Sequence, residues 1–463
     1  MGLYFTLVNI KYFTVFNIGL QFGIIETRSD IMAKDTNVSL RSLNIYQVFL
    51  RQHTEEGTFL SLIKDLPRIK TLGMDYVYLL PIHPIGVLQR KGSVGSPYSI
   101  KDYRGINKDY GTEEDFVKLI KSANEEGLKI MIDVVFNHTS HDAVLLEEHP
   151  EWYFRRDGKL AGKVGDWWDI TDLDFSHRGL WDYLIETLVK WAKLGVDGFR
   201  CDVAPMVPQA FWLEAREAVK KVNPNVIWLS ETMHGEFVKY IRDSGFDAMS
   251  DSETYEAFDI CYDYDIHHDF LGYVEGRVPL NDWLKAILRQ DYIFPKNYVK
   301  LRNLENHDQE RIAHHVKDPL KLLNLTGTLF FLKGATMIYA GQEYGVTKRP
   351  DLFEVDKVDF SIKNTDIRNL IHRMSHLKKD SLFQTGVFNI HLQSIEAAVI
   401  SFENKQSMTY GIFNLGQVSG EVEVTLPDGI YQNILYPNQV EVKHGKLKLT
   451  DKPMVLFGLK QTL

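Results

Sequence analysis

EEDFVKLIKSANEEGLKIMIDVVF, residues 113–136, joins an amphipathic stretch, Glu113–Glu126, to a continuously apolar run, Lys129–Phe136. The first half has helical patterning; the second is a short, β-branched run with no polar alternation, as in a strand buried on both faces. Working outward, the same alternation continues from about residue 44 to residue 343. The expected strands are Asn44–Leu50, Tyr76–Ile82, Lys129–Phe136, Gly198–Val203, Val226–Ser230, Ala248–Ser252, Tyr298–Leu304 and Thr336–Ala340. Amphipathic stretches such as Leu180–Leu194 and Pro208–Val222 lie between them. Eight strand–helix units in about 300 residues predict a TIM (β/α)8 barrel. A doubly wound open sheet is the alternative, but no Gly-rich phosphate loop follows the first strand.

Two segments depart from this rhythm. Residues 139–176, after the third strand, are too long for an ordinary βα loop and are rich in Trp, Asp and Gly. They predict a short inserted domain over the barrel mouth. From about Ser381 the pattern turns to period-two strands (Ala397–Phe402, Met408–Asn414, Glu421–Leu426) with a Pro427-Asp428-Gly429 turn. Residues 381–463 therefore predict a C-terminal antiparallel β-sandwich, and residues 40–380 the barrel.

Composition narrows the classes of function. The chain has 463 residues, of which 44% are hydrophobic and 25% charged, the balance of a globular protein. The net charge of −9 leaves no basic face for nucleic acid or anionic lipid. Cys201 and Cys261 are the only cysteines, so neither a disulfide framework nor a Cys-based zinc site is available. A reduced, cytoplasmic setting is the simpler expectation. The first 31 residues read differently. Tyr12–Ile25 is uncharged but falls short of the ~20 apolar residues that span a membrane. No basic start or small-residue cleavage site marks a usual signal peptide. Translation is expected to begin at Met32, with an unusual export signal as the alternative.

A barrel of this kind carries its chemistry at the carboxyl ends of its strands. There the sequence places Asp133 and Asn137-His138, then Arg200-Cys201-Asp202, Ser230-Glu231-Thr232 and Glu305-Asn306-His307-Asp308. Arg200 and Asp202 are two apart and share a strand face, so the guanidinium would hold Asp202 ionised and oriented. One strand-end acid is ordinarily a helix cap or a solvated group. Three acids on three strands, each within a polar cluster, instead suit glycosidic-bond cleavage, where one carboxyl gives a proton and another attacks the anomeric carbon.

In this order and spacing, Asp133-Val-Val-Phe-Asn-His138, Gly198-Phe-Arg-Cys-Asp202, Glu231 and Asn306-His-Asp308 resemble the four signature regions of the α-amylase family of glycoside hydrolases. Gly95-Ser-Pro-Tyr-Ser-Ile-Lys-Asp-Tyr103, Asp172-Leu-Asp174 and Ile338-Tyr-Ala-Gly-Gln-Glu343 are similar to further stretches of that family. The resemblance runs from about Asn44 to Gly345. It implies a retaining hydrolase of α-glucosidic bonds, mainly α-1,4, in malto-oligosaccharides or starch-derived glucans. Asp202 would be the nucleophile, Glu231 the acid and then base, and Asp308 the transition-state stabiliser. His138 and His307 would hydrogen-bond the reacting sugar, Tyr98 would stack on it, and Arg200 would complete the substrate-binding set. Asp133 would support Arg200.

The resemblance also makes Asn137 a candidate ligand of a structural calcium, although the chemistry requires no cofactor. Against that, the inserted domain is short, and Met206 stands where a histidine normally offers its backbone carbonyl. Val203, Pro205 and Met206 replace the Ala, Lys and His that follow the nucleophile in many α-amylases. This brings the chain nearer to neopullulanase-like and oligo-1,6-glucosidase-like members and leaves the linkage open. A glucanotransferase is the alternative on the same site, and a non-catalytic carbohydrate-binding barrel the remote one. Trp152, Trp167 and Trp168 are either an outer sugar platform or packing groups.

Overall fold

The computed structural model describes residues 36–362 and 364–460. The expected start at Met32 and the features of the first 31 residues lie outside them. Eight parallel strands close into a barrel: β1 (Asn44–Val48), β2 (Tyr76–Leu79), β3 (Lys129–Val134), β4 (Gly198–Cys201), β5 (Ile227–Ser230), β6 (Ile260–Tyr262), β7 (Lys300–Arg302) and β8 (Ala335–Tyr339). Each strand pairs with its sequence neighbours, and β8 pairs with β1 through Asn44–Thr336 and Gln47–Tyr339. Ring order therefore places β5 across the barrel from β1.

Side-chain alternation decides what each strand contributes. One parity faces the helices: Tyr46, Val77, Ile130, Ile132, Phe199 and Trp228 join the large outer core. The other parity fills the barrel, with Ile45, Tyr78, Met131, Leu229, Tyr262, Leu301 and Met337 in one apolar cluster. A Cβ on Gly198 would meet Met131 Cε at 2.9 Å and Ile227 Cγ1 at 3.1 Å, so a larger residue there would press on the lower layer. Two residues further up the same parity come Gln47, Asp133, Arg200 and Glu231, and two beyond Arg200 comes Asp202. The catalytic mouth is thus the polar top layer of the inward-facing rows.

The sixth strand is a correction. Ala248–Ser252 is not a strand; Ser250 instead caps the short helix Asp251–Thr254. Ser250 N donates to Glu253 Oε2 at 2.7 Å and Glu253 N to Ser250 Oγ at 3.4 Å, a capping box that outcompetes a brief apolar run. The strand is Ile260–Tyr262, three residues between Asp259 and Asp263. The expected helices appear as Glu113–Glu125, Arg178–Lys193 and Gln209–Lys220. The first is capped by Thr112, which accepts from Asp115 N.

The excursion after β3 holds two short antiparallel pairs, His138–Thr139 with Thr171–Asp172 and Arg155–Arg156 with Lys159–Leu160. Beyond the barrel lie two four-stranded antiparallel sheets. β9 (Val387–Ile390), β10 (Ala398–Glu403), β11 (Ser407–Phe413) and β16 (Met454–Leu459) form one. β12 (Glu421–Glu423), β15 (Lys446–Lys448), β14 (Gln439–Lys443) and β13 (Gly429–Gln432) form the other, in that spatial order. Val399, Tyr410, Ile412, Val422, Val442 and Leu456 pack between the sheets. The first sheet docks on the barrel helix Pro319–Phe331, where Phe331 meets Phe402 and Phe413.

At the barrel base Lys378 is 1% exposed, and among the described residues no carboxylate is a hydrogen-bond partner. Its Nζ donates to Thr336 Oγ1 at 2.6 Å and to the carbonyls of Phe330 and Leu332. Burial above all, with the nearby cations Arg302 and Lys379, holds its pKa well below the ordinary value. Among the described residues no helix is long and apolar enough to cross a membrane. Cys201 and Cys261 are free and buried.

Candidate active site

Arg200 organises the mouth. Its fully buried guanidinium donates through Nη1 to both oxygens of Asp133 (2.8 and 2.9 Å) and to Asp202 Oδ1 (2.8 Å). Nη2 lies 2.7 Å from Glu231 Oε1. One planar fork therefore sets three carboxylates, which a lysine's single ammonium would not do. Tyr78 and Tyr98 donate their hydroxyls to Asp133 Oδ2 at 2.6 and 2.9 Å. The second oxygen of Glu231 accepts the N–H of Val203 at 2.9 Å. Val203 adopts φ 35°, a left-handed conformation costly for a β-branched side chain. That strained turn lets the residue after Asp202 reach the acid on the next strand.

Burial, the largest influence, pushes Asp202 up to about 7 and Glu231 up to about 8, while Arg200 pulls both down. The pair titrates as one system. Asp308 goes the other way. Burial, the largest single influence, raises it, but the electrostatics and hydrogen bond of His307, 3.0 Å away, together with Arg200 and Arg349, lower it overall. Its side chain is 45% exposed, the most open of the three.

Asp202, Glu231, Asp308, Tyr98, His138 and Trp167 line one cavity of about 280 Å³. Arg200 and His307, grouped with the substrate-binding residues in the sequence, do not line it. Arg200 sits behind the carboxylates. His307 is 3% exposed, with Nδ1 3.0 Å from Gln47 Nε2 and Nε2 2.6 Å from Tyr98 Oη. Its ring stacks on Tyr98 (5.3 Å between centroids, 14°). Asn306 turns the same loop, taking the N–H of Asp308 at 2.9 Å and donating to Tyr264 Oη at 2.9 Å. Burial lowers the pKa of His138, the histidine that does face the cavity.

The tryptophans separate. Trp167 lines the cavity, Trp168 is 55% exposed, and Trp152 stacks on His149 at 3.7 Å, away from the site. Val203, Trp167 and Phe237 pack against the buried Met206 and Met233 in an apolar cluster, and of these Val203 and Trp167 line the cavity. Gln47, Tyr78 and Tyr264 escaped the sequence reading. In the barrel Gln47 and Tyr78 share the inward parity of Asp133 and Arg200.

The residues around Asn137 do not fit a calcium ion, which takes six to eight oxygens. Asn137 Nδ2 donates to Asp172 Oδ1 at 3.1 Å, and Asp172 Oδ2 already accepts Lys163 N at 2.7 Å. Asn137 Oδ1 is buried and unpartnered, a single neutral donor oxygen. No group of three or more His, Cys, Asp or Glu among the described residues is placed to hold a metal ion.

Residues 33–385 match the family model for the alpha amylase catalytic domain, and residues 384–456 that for the bacterial alpha amylase C-terminal domain. The chain belongs to the alpha-amylase family. Among solved structures, it is similar to an alpha-amylase from Lactobacillus plantarum, at 41% identity and TM-score 0.88, covering 91% of this chain and all of that one. It also resembles a noncanonic maltogenic alpha-amylase from Thermotoga neapolitana (32%, TM-score 0.82, 91% and 100%). An alpha-amylase of Haloarcula japonica is 28% identical over 351 residues, 73% of this chain and 50% of that protein. This alpha-amylase family chain thus spans about half the length of that curated relative.

Proposed function

We propose that the protein is a retaining α-glucan hydrolase acting mainly on α-1,4 bonds of malto-oligosaccharides or starch-derived glucans. The observation that carries this reading is the placement of Asp202 and Glu231 on one buried guanidinium, facing one cavity together with Asp308. Glu231 delivers a proton to the glycosidic oxygen. Asp202, held by Arg200, attacks the anomeric carbon as the carboxylate and forms a covalent glycosyl–enzyme. Asp308 stays ionised and open to the cavity, where it stabilises the oxocarbenium-like transition state through ring hydroxyls. Glu231, now a base, activates the water that releases the sugar. Sharing one guanidinium suits the ~5–5.5 Å carboxyl separation of retaining enzymes better than the wider spacing of inverting ones.

Tyr98 and His138 contact the reacting sugar, and His307 and Arg200 act as positioning residues behind them. Asn137 braces the excursion against Asp172 without a cation. Two buried free thiols suit a cytoplasmic setting.

A transfer reading is favoured by Trp167 and Val203, which line the cavity beside Glu231 and offer an apolar face for an acceptor sugar in place of water. Incubation with maltotriose separates the readings. Hydrolysis gives maltose and glucose alone, whereas transfer gives products longer than the substrate. No cleavage of maltotriose, maltoheptaose or starch would sink both.

A further inference from the structure

The general acid faces the leaving group, so the departing part of the glucan exits on the side of Glu231, beyond β4–β6. The retained part runs across the barrel toward the loops after β8 and β2. That end is closed. Lys91, after β2, stands 2.7 Å from Asp169 of the excursion, and their side chains are only 24% and 6% exposed. Its Nζ lies 5.2 Å from the Trp168 ring and 5.9 Å from the Phe353 ring. Lys91, Asp169, Leu352 and Phe353 line the cavity that holds the catalytic acids.

The wall is pinned from behind. Val94 N and Gly95 N donate to Phe353 O at 3.1 and 3.2 Å, and Ser93 N donates to Glu354 Oε1 at 2.8 Å. Arg51 Nη1 bridges the carbonyls of Gly95 and Leu352. At Gly92 (φ 66°) a Cβ would come within 2.6 Å of Phe353 Cβ, so the two loops are as close as backbone allows. About 280 Å³ lies at the small end of ligand cavities.

We propose that the Lys91–Asp169 pair binds the terminal hydroxyls of the non-reducing glucosyl unit, so that the enzyme cuts a short saccharide from that end rather than attacking chains internally. The ammonium has three donors, of which Asp169 takes one, and the carboxylate keeps acceptor capacity. Such a donor–acceptor pair matches two neighbouring sugar hydroxyls. Only a terminal unit has a free 4-hydroxyl; an interior unit carries another glucose there, which the wall would strike.

This rests on the hydrolase reading, and the test separates the two. The full-length protein is assayed on 4-nitrophenyl maltoheptaoside and on the same substrate blocked at the non-reducing 4,6-hydroxyls. The expected result is at least tenfold faster cleavage of the free substrate, with short unlabelled saccharide and long labelled product appearing first. Lys91→Ala and, separately, Asp169→Asn are expected to bring the free-to-blocked ratio toward one. Equal rates on both substrates with the native protein overturn the proposal and leave the hydrolase reading standing. No cleavage of either overturns the hydrolase reading and the proposal with it.

Discussion

Replacing Asp133 by Asn tests how the site sets its proton balance. Asp133 and Asp202 both accept from Arg200 Nη1, at 2.8 Å each, so their oxygens stand roughly 5 Å apart. At an effective dielectric of ~20, two unit charges at ~5 Å repel by about 3 kcal/mol, or about 2 pH units. Asp133 is among the influences that raise Asp202, whereas the like charges raising Glu231 are Asp202 and Asp308. Removing the Asp133 charge lowers the pKa of Asp202. The acid limb of kcat/KM, expected near 7 in the native protein, moves down by about 2 units, and the basic limb moves less. The assay is a pH profile on a chromogenic maltoside at constant ionic strength, with a thermal melt confirming that the variant folds. An acid limb that stays put or moves up would refute the reasoning, because Asp202 would then not be the titrating group held by Arg200.

Three further outcomes follow from the same geometry. Glu231→Gln is expected to lower kcat on maltotriose by about 10²–10⁴-fold, yet to leave formation of the glycosyl–enzyme from α-maltosyl fluoride nearly intact, since fluoride needs no proton to leave; comparing the two substrates by stopped-flow checks this. Lys378 has a folded pKa well below its unfolded value of about 10.5, so over that window the unfolded chain binds more protons and stability rises with pH. Lys378→Met removes that slope, and urea titrations across neutral to alkaline pH are expected to show native stability gaining on the variant up to about pH 10.5. Dialysis against EDTA is expected to leave activity and Tm unchanged, and added calcium to leave Tm unmoved. A rise of several degrees would place a cation near Asn137 and Asp172.

Much of this was legible because buried parallel strands announce themselves as apolar runs and their carboxyl ends as polar clusters. Asp133, Arg200, Asp202, Glu231 and Asp308 all stand out in this way. Direction was harder. Sequence places Arg200 and His307 beside the acids but does not say that both turn inward, because that depends on Gln47 and Tyr98 filling the space around His307. The sixth strand was misplaced because β6 is only three residues long, while Ser250-Asp-Ser-Glu253 carries a local capping box that an apolar-run reading overlooks. Lys91 lies in an irregular loop, and its partner Asp169 is in a different excursion. Only closure of the barrel brings the two together.

The central claim, that Asp202 is the nucleophile of a retaining reaction with Glu231 as its acid, is tested most directly by trapping the intermediate. Treating the protein with a 5-fluoro-maltosyl fluoride and mapping the adduct by peptide mass spectrometry is expected to give one maltosyl group per chain, on Asp202. An adduct on Glu231 or Asp308, or turnover that releases β-maltose with no adduct at all, would contradict the account.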